Sequence, residues 1–470
     1  MEDNRFIYID EIYNQQVKFK EECKETSVYN RVQLLKKLKA TILHKEGEIK
    51  DAIYKDFRKS IIETETTEIL TSILEINHFI KNLKKWTKSK SVGSSLMFAS
   101  TSAKLLYEPK GNTLIITPWN YPFQLPLVHL IASVAAGNTV ILKLSEFTPH
   151  INAVIKSIII QVFVSNHVAI VEGEIEETTH LLALKFDHIH FTGSPAVGKI
   201  IMQAASKNLT DITLELGGKS PVFVDKNINI KEVVRNLLWA KFVNMGQTCI
   251  APDYLLVDKA IEQEFDHAWK EEILNAFGIN PIESNDLARI INTKQFDRLE
   301  NYLNELKNSD TNWIVSGTNN KSDLFIHPTV LKNVPINCAL MEDEIFGPIL
   351  PIIYYQDIQQ ALQIVRSKEK PLALYIFSKK QDYINYVLGN TTAGGTTVND
   401  AMLHIMHPNL PFGGVNNSGL GQSLGHYGFK SFSHERAVLK SNFFPMSKFF
   451  WYPYNNNTKK MLGYIKRIFT

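Results

Sequence analysis

Hydrophobic positions in the first part of the chain recur every three or four residues. Leu34, Leu35, Leu38, Ile42, Ile49, Ile53 and Phe57 share that spacing, as do Ile69, Ile73, Ile76, Ile80 and Leu83. Such a period lines one side of a helix, so residues 27 to 86 are predicted to be helical, with little chain before the first helix. A polar stretch rich in Ser and Lys, Lys88 to Ser102, marks a break. Beyond it the pattern changes. Short apolar runs at Leu114–Ile116, Thr139–Leu142, His167–Val171, Ile189–Phe191 and Thr213–Leu216 alternate with helical segments at Thr148–Phe163, Glu176–Ala183 and Ala196–Lys207. Thr148 stands as an N-cap, with Pro149 at the first helical position. A repeat of roughly 25 to 30 residues is that of β-α-β units and predicts a parallel sheet covered by helices. A second alternating region starts near Pro221, with Val222–Val224 and a helix around Val233–Phe242, and runs to about residue 410. The fold class is therefore α/β, with two α/β domains in sequence.

Composition narrows the picture mainly by exclusion. Of 470 residues, 44% are hydrophobic and 21% charged, the balance of a folded chain rather than a disordered one. Lys and Arg number 51 against 48 Asp and Glu, a net of +3, too little to argue for nucleic acid as the main partner. Cys23, Cys249 and Cys338 cannot all pair, and none has a Cys-x-x-Cys neighbour. A disulfide framework and a thiolate zinc site are both disfavoured, no metal is expected, and a reducing, cytoplasmic setting is the expectation. The polar N-terminus lacks the basic and apolar regions of a signal peptide. The most apolar stretches, Leu125–Leu144 and Ile151–Ile170, are interrupted by residues such as His129, Asn138, Lys143 and Lys156. They read as elements of a buried core rather than membrane spans.

Several short segments can carry chemistry. Gly193-Ser-Pro-Ala-Val-Gly198-Lys199 has the frame of a phosphate-binding P-loop between a strand and a helix, but Ile200 replaces the Ser or Thr that would hold Mg²⁺. A pyrophosphate-bearing cofactor at the helix N-terminus, a plain strand-to-helix turn and a nucleotidase loop all remain open. Gly419-Leu-Gly421-Gln-Ser-Leu-Gly425 approaches a dinucleotide fingerprint but has one residue too many and no β-α-β start around it. Cys249 lies among polar residues and glycine in Asn244-Met-Gly-Gln-Thr-Cys249, a setting that suits a loop thiol. A thiolate there would attack a carbonyl carbon, whereas most lone cysteines are small buried hydrophobes. Glu215 ends an apolar strand before Gly-Gly, where partial desolvation suits a general base; a solvated strand-end Glu is the plainer alternative. Asn120, held between Pro and aromatic residues in Thr117-Pro-Trp-Asn120-Tyr-Pro, could donate to an oxyanion or simply stabilise a turn.

Pro118-Trp-Asn-Tyr-Pro122, Phe191-Thr-Gly-Ser194, Glu215-Leu-Gly-Gly-Lys219, Gly246-Gln-Thr-Cys249, Glu344-Ile-Phe-Gly-Pro348 and Pro411-Phe-Gly-Gly-Val415 occur together in one order. In that order and spacing the chain resembles the aldehyde dehydrogenases over nearly all its length. Cys249-Ile-Ala-Pro-Asp-Tyr254, Asn399-Asp400 and Ser431-Phe-Ser-His434 are similar to the class 3 branch, which acts on fatty and aromatic aldehydes. The resemblance implies that Cys249 forms a thiohemiacetal with the aldehyde. It also implies that Asn120 and the Cys249 N–H form the oxyanion hole, that hydride passes to a nicotinamide, and that Glu215 activates water to release the acid. Gly193, Ser194 and Gly198 match the pyrophosphate turn, Lys143 and Glu146 the adenine-ribose site, and Glu344 and Phe346 the nicotinamide site. Glu146 would repel a 2'-phosphate, so NAD is expected ahead of NADP. Leu144, Pro195 and Asn416 depart from the family's usual residues, which puts cofactor affinity rather than catalysis in question.

The resemblance further implies a cofactor domain from 1–86 and 107–216, a catalytic domain from 217–417, and a bridging element from 87–106 with 418–470 that builds a homodimer. From Lys448 onward basic residues interleave with Phe449, Phe450, Trp451, Met461, Leu462, Ile465 and Phe469. This tail could lie on a membrane surface, or pack over the substrate entrance or a partner subunit. Two other outcomes carry the same motifs: release of the acyl group by coenzyme A, and a nucleotide-binding protein of this fold without activity. Tyr121, Trp239 and Phe412 flank the motifs and could line an apolar tunnel.

Overall fold

The computed structural model of the chain describes residues 4–95, 98–443 and 445–469, and the side chains of the tail residues Phe449 and Phe469 lie outside what is described. The apolar runs of the first alternating region form one six-stranded sheet. Its spatial order is Gly419–Leu420, Asp211–Leu216, His188–Gly193, Asn112–Ile116, Thr139–Lys143 and Val168–Val171. All neighbours run parallel except the short Gly419–Leu420 edge. The chain builds outward from Asn112–Ile116 in one direction, then returns to place His188–Gly193 on its other side. At such a switch point the loops leaving adjacent strands diverge, opening a crevice beyond their carboxyl ends. Strand Asn112–Ile116 is buried throughout, and so is the helix Gln124–Ala136 that covers it. Their near-continuous apolar composition follows from burial on both faces.

Four residues separate Leu216 from a second sheet of seven strands. Its order is Asn312–Val315, Thr329–Lys332, Ile349–Tyr355, Tyr254–Asp258, Pro221–Val224, Ala373–Phe377 and Gly395–Val398. Only the Asn312–Val315 edge is antiparallel among the described pairings. Gly217 to Ser220 thus lead from the carboxyl end of the first sheet to the amino end of a strand in the second. A third, antiparallel sheet pairs Thr101–Pro109 with both Lys90–Val92 and Ser433–Ser441.

Two expectations are corrected. The segment before residue 27 is itself a helix, Asn4–Glu25. Its apolar stripe is narrow, so helical periodicity is faint in the sequence. It is held by contacts remote in sequence: Ile9 and Ile12 are buried, Gln16 donates to the Val140 carbonyl at 2.9 Å, and Arg5 meets Glu177 at 2.8 Å. Helix Pro149–Val162 does start with proline, but Thr148 makes no capping bond. Asp56, from the helix Glu46–Phe57, instead accepts from the His150 and Ile151 N–H groups at 3.1 and 3.0 Å. Such a remote carboxylate cap leaves no local trace.

Buried Arg31 does the equivalent at the other end of helix Gln124–Ala136. Its guanidinium donates to the carbonyls of Ala135 and Ala136 at 3.3 and 2.8 Å, and to Lys24 at 3.0 Å. Gly137 has φ +101°, and a Cβ there would lie 2.6 Å from that guanidinium. Arg31→Ala leaves these buried carbonyls unpaired, and we expect it to cost about 2–4 kcal/mol of stability. A urea or thermal unfolding comparison with the unsubstituted chain measures this.

Candidate active site

The nucleophile loop is shaped by residues that cannot be exchanged freely. After helix Ile230–Phe242, Asn244 and Met245 adopt left-handed backbone angles of 52° and 54°. Gly246 follows at φ +73°, and a Cβ on it would run into the Gly347 carbonyl. Gln247 then fixes the turn. Its amide donates to the carbonyls of Asn244 and Arg289, and its carbonyl oxygen accepts from the Ile291 N–H, each at 3.0 Å. Thr248 Oγ1 lies 2.7 Å from the Tyr121 hydroxyl. Each letter of Gly-Gln-Thr-Cys therefore has a separate structural task, and together they set Cys249 at the wall of a cavity.

That cavity encloses about 600 Å³. Leu70, Leu74, Leu125, Val128, Ile250 and Met402 line it, together with Tyr121, Trp239 and Phe412, the aromatics picked out in the sequence. Glu215 and Cys249 both line it. The contribution of helix Leu70–Trp86 was not legible, because its cavity-facing leucines look like any solvent-side irregularity in a helical pattern.

Cys249 is partly exposed and free. Its thiol is pushed up from its ordinary value, first by desolvation and then by the charges of Glu344 and Glu215. The N–H groups of Cys249 and Ile250 act in the opposite sense. The sulfur is thus partly exposed, and these surroundings favour its thiol form. Asn120 is buried, and its amide nitrogen donates to the Gln247 carbonyl at 3.0 Å. Asn244 Nδ2 holds the Asn120 carbonyl at 2.8 Å, so the Asn120 loop and the nucleophile loop are laced together.

Glu215 is also buried. It accepts from the Ser423 hydroxyl, and from Thr192 Oγ1 at 3.3 Å, with His129 Nε2 at 3.5 Å. Its Cα pairs across the sheet with Thr192. His129, His190 and Glu215 place a ligand-type atom each within 4.8 Å of one another. The two imidazoles stack with centroids 3.6 Å apart and a 33° tilt, so their in-plane lone pairs run side by side instead of converging on one ion.

The residues assigned to the cofactor gather at the carboxyl ends of the six-stranded sheet. Ser194 caps helix Pro195–Ser206, accepting from the Val197 N–H at 3.4 Å. A Cβ at Gly193 would meet the Phe191 ring at 2.5 Å, and one at Gly198 would meet Leu216 at 2.8 Å. The glycines therefore bring strand and helix close and leave the helix N-terminus open, the arrangement a pyrophosphate needs. Lys143 is buried, donates to the Leu144 carbonyl at 2.9 Å and lies 3.7 Å from Glu146. Desolvation lowers its pKa, and Glu146 opposes that. Glu344 packs over the Gly217 backbone, where there is no room for a side chain. Burial, then Asp253, push its carboxyl up to about 8. Phe346, at φ 47°, meets the Trp119 ring edge-on at 5.4 Å. These residues fit a dinucleotide, which they would hold by its pyrophosphate, adenine ribose and nicotinamide ribose.

Comparison with known proteins agrees with this architecture. The Aldehyde dehydrogenase family profile matches residues 8–438, so the chain belongs to that family and is an aldehyde dehydrogenase. It is 42% identical over 409 residues to the 4,4'-diaponeurosporen-aldehyde dehydrogenase of Staphylococcus aureus, covering 87% of this chain and 88% of that one. It is 42% identical to human aldehyde dehydrogenase family 3 member B1, over 83% and 82% of the two chains. The solved structure of Staphylococcus aureus AldH in its substrate-bound state superposes with a TM-score of 0.93 at 40% identity, covering 98% of this chain and 99% of that one. The likeness to the class 3 branch read from the motifs is thereby shown.

Alkylation with iodoacetamide tests the electrostatics. Cys23 and Cys338 are buried, so Cys249 reacts first. With a raised pKa, its rate should keep rising with pH beyond about 8.5, the ordinary thiol value, without a neutral plateau. Glu344→Gln removes a neighbouring negative charge and should move that rise to lower pH.

Proposed function

We propose that the chain oxidises medium- or long-chain aliphatic, or aromatic, aldehydes to carboxylic acids through a covalent intermediate on Cys249. The observation that supports it best is one largely apolar cavity lined by both Cys249 and Glu215. The aldehyde's apolar part is held by Leu70, Leu74, Trp239 and Phe412, which directs its carbonyl carbon to the sulfur. The thiol proton must leave to solvent as the C–S bond forms, and Cys249 is partly exposed. Asn120 and the Cys249 N–H steady the oxygen as it gains charge. When bound, the nicotinamide of the cofactor accepts the hydride that leaves this carbon. Glu215 then draws a proton from water as its oxygen adds to the thioester, and the sulfur departs. A buried carboxylate placed for water favours hydrolysis over release by coenzyme A.

The family works with NAD or NADP. Here NAD is the better match, because Glu146 would accept from a ribose 2'-hydroxyl but repel a 2'-phosphate. For assembly we favour a homodimer. Strand Ser433–Ser441 is a largely exposed edge nine residues long, and an edge of that length invites pairing with another chain. The tail helix Asn456–Phe469 is basic and amphipathic, with Tyr464 exposed on it and Trp451 and Tyr452 exposed before it. No helix among the described residues is long and apolar enough to cross a membrane. Contact of this tail with a membrane surface stands beside packing on a partner subunit.

Cys249→Ser should abolish turnover with every aldehyde, read as loss of cofactor reduction. Glu215→Gln should retain one turnover of cofactor reduction and then stall, with steady-state rate down about a thousandfold. Wild-type rates in either variant contradict the assignment. Across n-alkyl aldehydes, kcat/KM should rise by up to about fourfold per added methylene, the equivalent of about 0.8 kcal/mol, until the cavity is filled. A flat series would contradict the assigned substrate class.

A further inference from the structure

Strand His188–Gly193 carries three polar side chains on one face, His188, His190 and Thr192, where period-2 alternation puts them in a row. Their register matters. His188 pairs across the sheet with Asp211, and Thr192 with Glu215. One end of the row therefore touches the carboxylate assigned as base, and the other reaches Asp211, whose side chain is 57% exposed. The contacts run in sequence: Glu215 Oε2 to Thr192 Oγ1 at 3.3 Å, Thr192 Oγ1 to His190 Nε2 at 3.4 Å, and His188 Nδ1 to Asp211 Oδ2 at 2.6 Å. The middle holds two buried nitrogens without a protein partner, His190 Nδ1 and His188 Nε2. Side chains two apart on a strand stand about 7 Å from each other. Buried nitrogens of this kind are met by ordered water, which carries a proton across such a gap.

We propose that Thr192, His190 and His188 form a proton relay that carries the proton taken up by Glu215 to Asp211 and the solvent. This deepens the reading of Glu215 as the hydrolytic base and rests on it. Both histidines are fully buried, and desolvation holds His188 down to about 4 and His190 well below its ordinary value. Each ring is therefore neutral near pH 7, with one nitrogen protonated and one bare, as a relay requires. Lys110, which bonds Asp211 and lies 3.3 Å from His188 Nδ1, and the stacked His129 add to keeping the row uncharged.

The protons balance. Water adds its oxygen to the thioester carbon and gives one proton to Glu215, while the C–S bond breaks and sulfur leaves as thiolate. Glu215 passes a proton to Thr192 Oγ1, whose own proton goes to His190 Nε2. His190 Nδ1 releases its proton through the bridging water to His188 Nε2, and His188 Nδ1 gives its proton to Asp211, which returns it to solvent. Every relay group ends with the number it began with, its tautomer exchanged. The need arises because Glu215 is itself buried, and its open side is the substrate cavity. A long acyl chain fills that cavity and expels the water that would otherwise remove the proton.

Chain length supplies the test. His190→Leu severs the row with a side chain of similar volume, and His188→Gln severs it one step later. Pre-steady-state and steady-state cofactor reduction are followed with propanal and with dodecanal, alongside thermal melts. We expect both variants to keep a first turnover within about twofold of wild type. Their kcat with dodecanal should fall about tenfold or more, and with propanal less than about threefold. Should the buried variants melt early, Asp211→Asn at the exposed end carries the same expectation, a fall with dodecanal that spares propanal. An unchanged kcat with dodecanal overturns the relay, and so does an equal fall on both aldehydes, which signals a displaced Glu215. The Glu215→Gln variant separates the two levels. If it turns over normally, the base assignment fails; if it stalls while the histidine variants run normally, only the relay fails.

Discussion

A buried ion pair ties together the three segments on which the site depends. Lys219 bonds the Asp253 carboxylate and also donates to the carbonyls of Leu340 and Asp343, at 2.9 and 2.7 Å. Asp253 in turn accepts from the Ile345 N–H at 2.9 Å, and its own N–H bonds the Ser220 carbonyl at 2.9 Å. The linker after Glu215, the turn after Cys249 and the loop carrying Glu344 thus share one polar knot between the two sheets. A pair like this adds little over a well-packed apolar substitute, but removing one partner strands a charge at a cost of about 3–5 kcal/mol. Its value is positional: three loops cannot drift independently when one ammonium holds all of them.

The electrostatic state of the site follows from that crowding. Cys249, Glu215 and Glu344 lie close enough for each carboxylate to push the thiol up, and burial pushes both Cys249 and Glu344 toward their neutral forms. Two carboxylates near one sulfur favour a resting thiol.

Much of this was legible in the chain. The strands of the cofactor sheet fall within a few residues of the apolar runs, and Pro149 and Pro195 do stand at helix starts. Cys249 and Glu215 were found because an unusual residue type stood at the end of an apolar strand or in a glycine-bearing loop, and the structure brings them to one cavity. What the sequence concealed was long-range. Asp56 capping a distant helix, Ser423 on Glu215, and His129 stacked on His190 join positions far apart in the chain. The influence of Glu344 on the Cys249 thiol was hidden for the same reason, since the two are remote in sequence and interact in space. Periodicity reports which face of an element is buried, never what that face will meet.

The central claim is that substrate carbon becomes covalently attached to one sulfur. Rapid acid quenching of the enzyme during turnover of dodecanal with NAD, followed by peptide mapping by mass spectrometry, tests it most directly. The account predicts a dodecanoyl group on the peptide containing Cys249, labile to hydroxylamine as a thioester is. Cofactor reduction with no acyl group on Cys249, or with the acyl group on Cys23 or Cys338 instead, would contradict it.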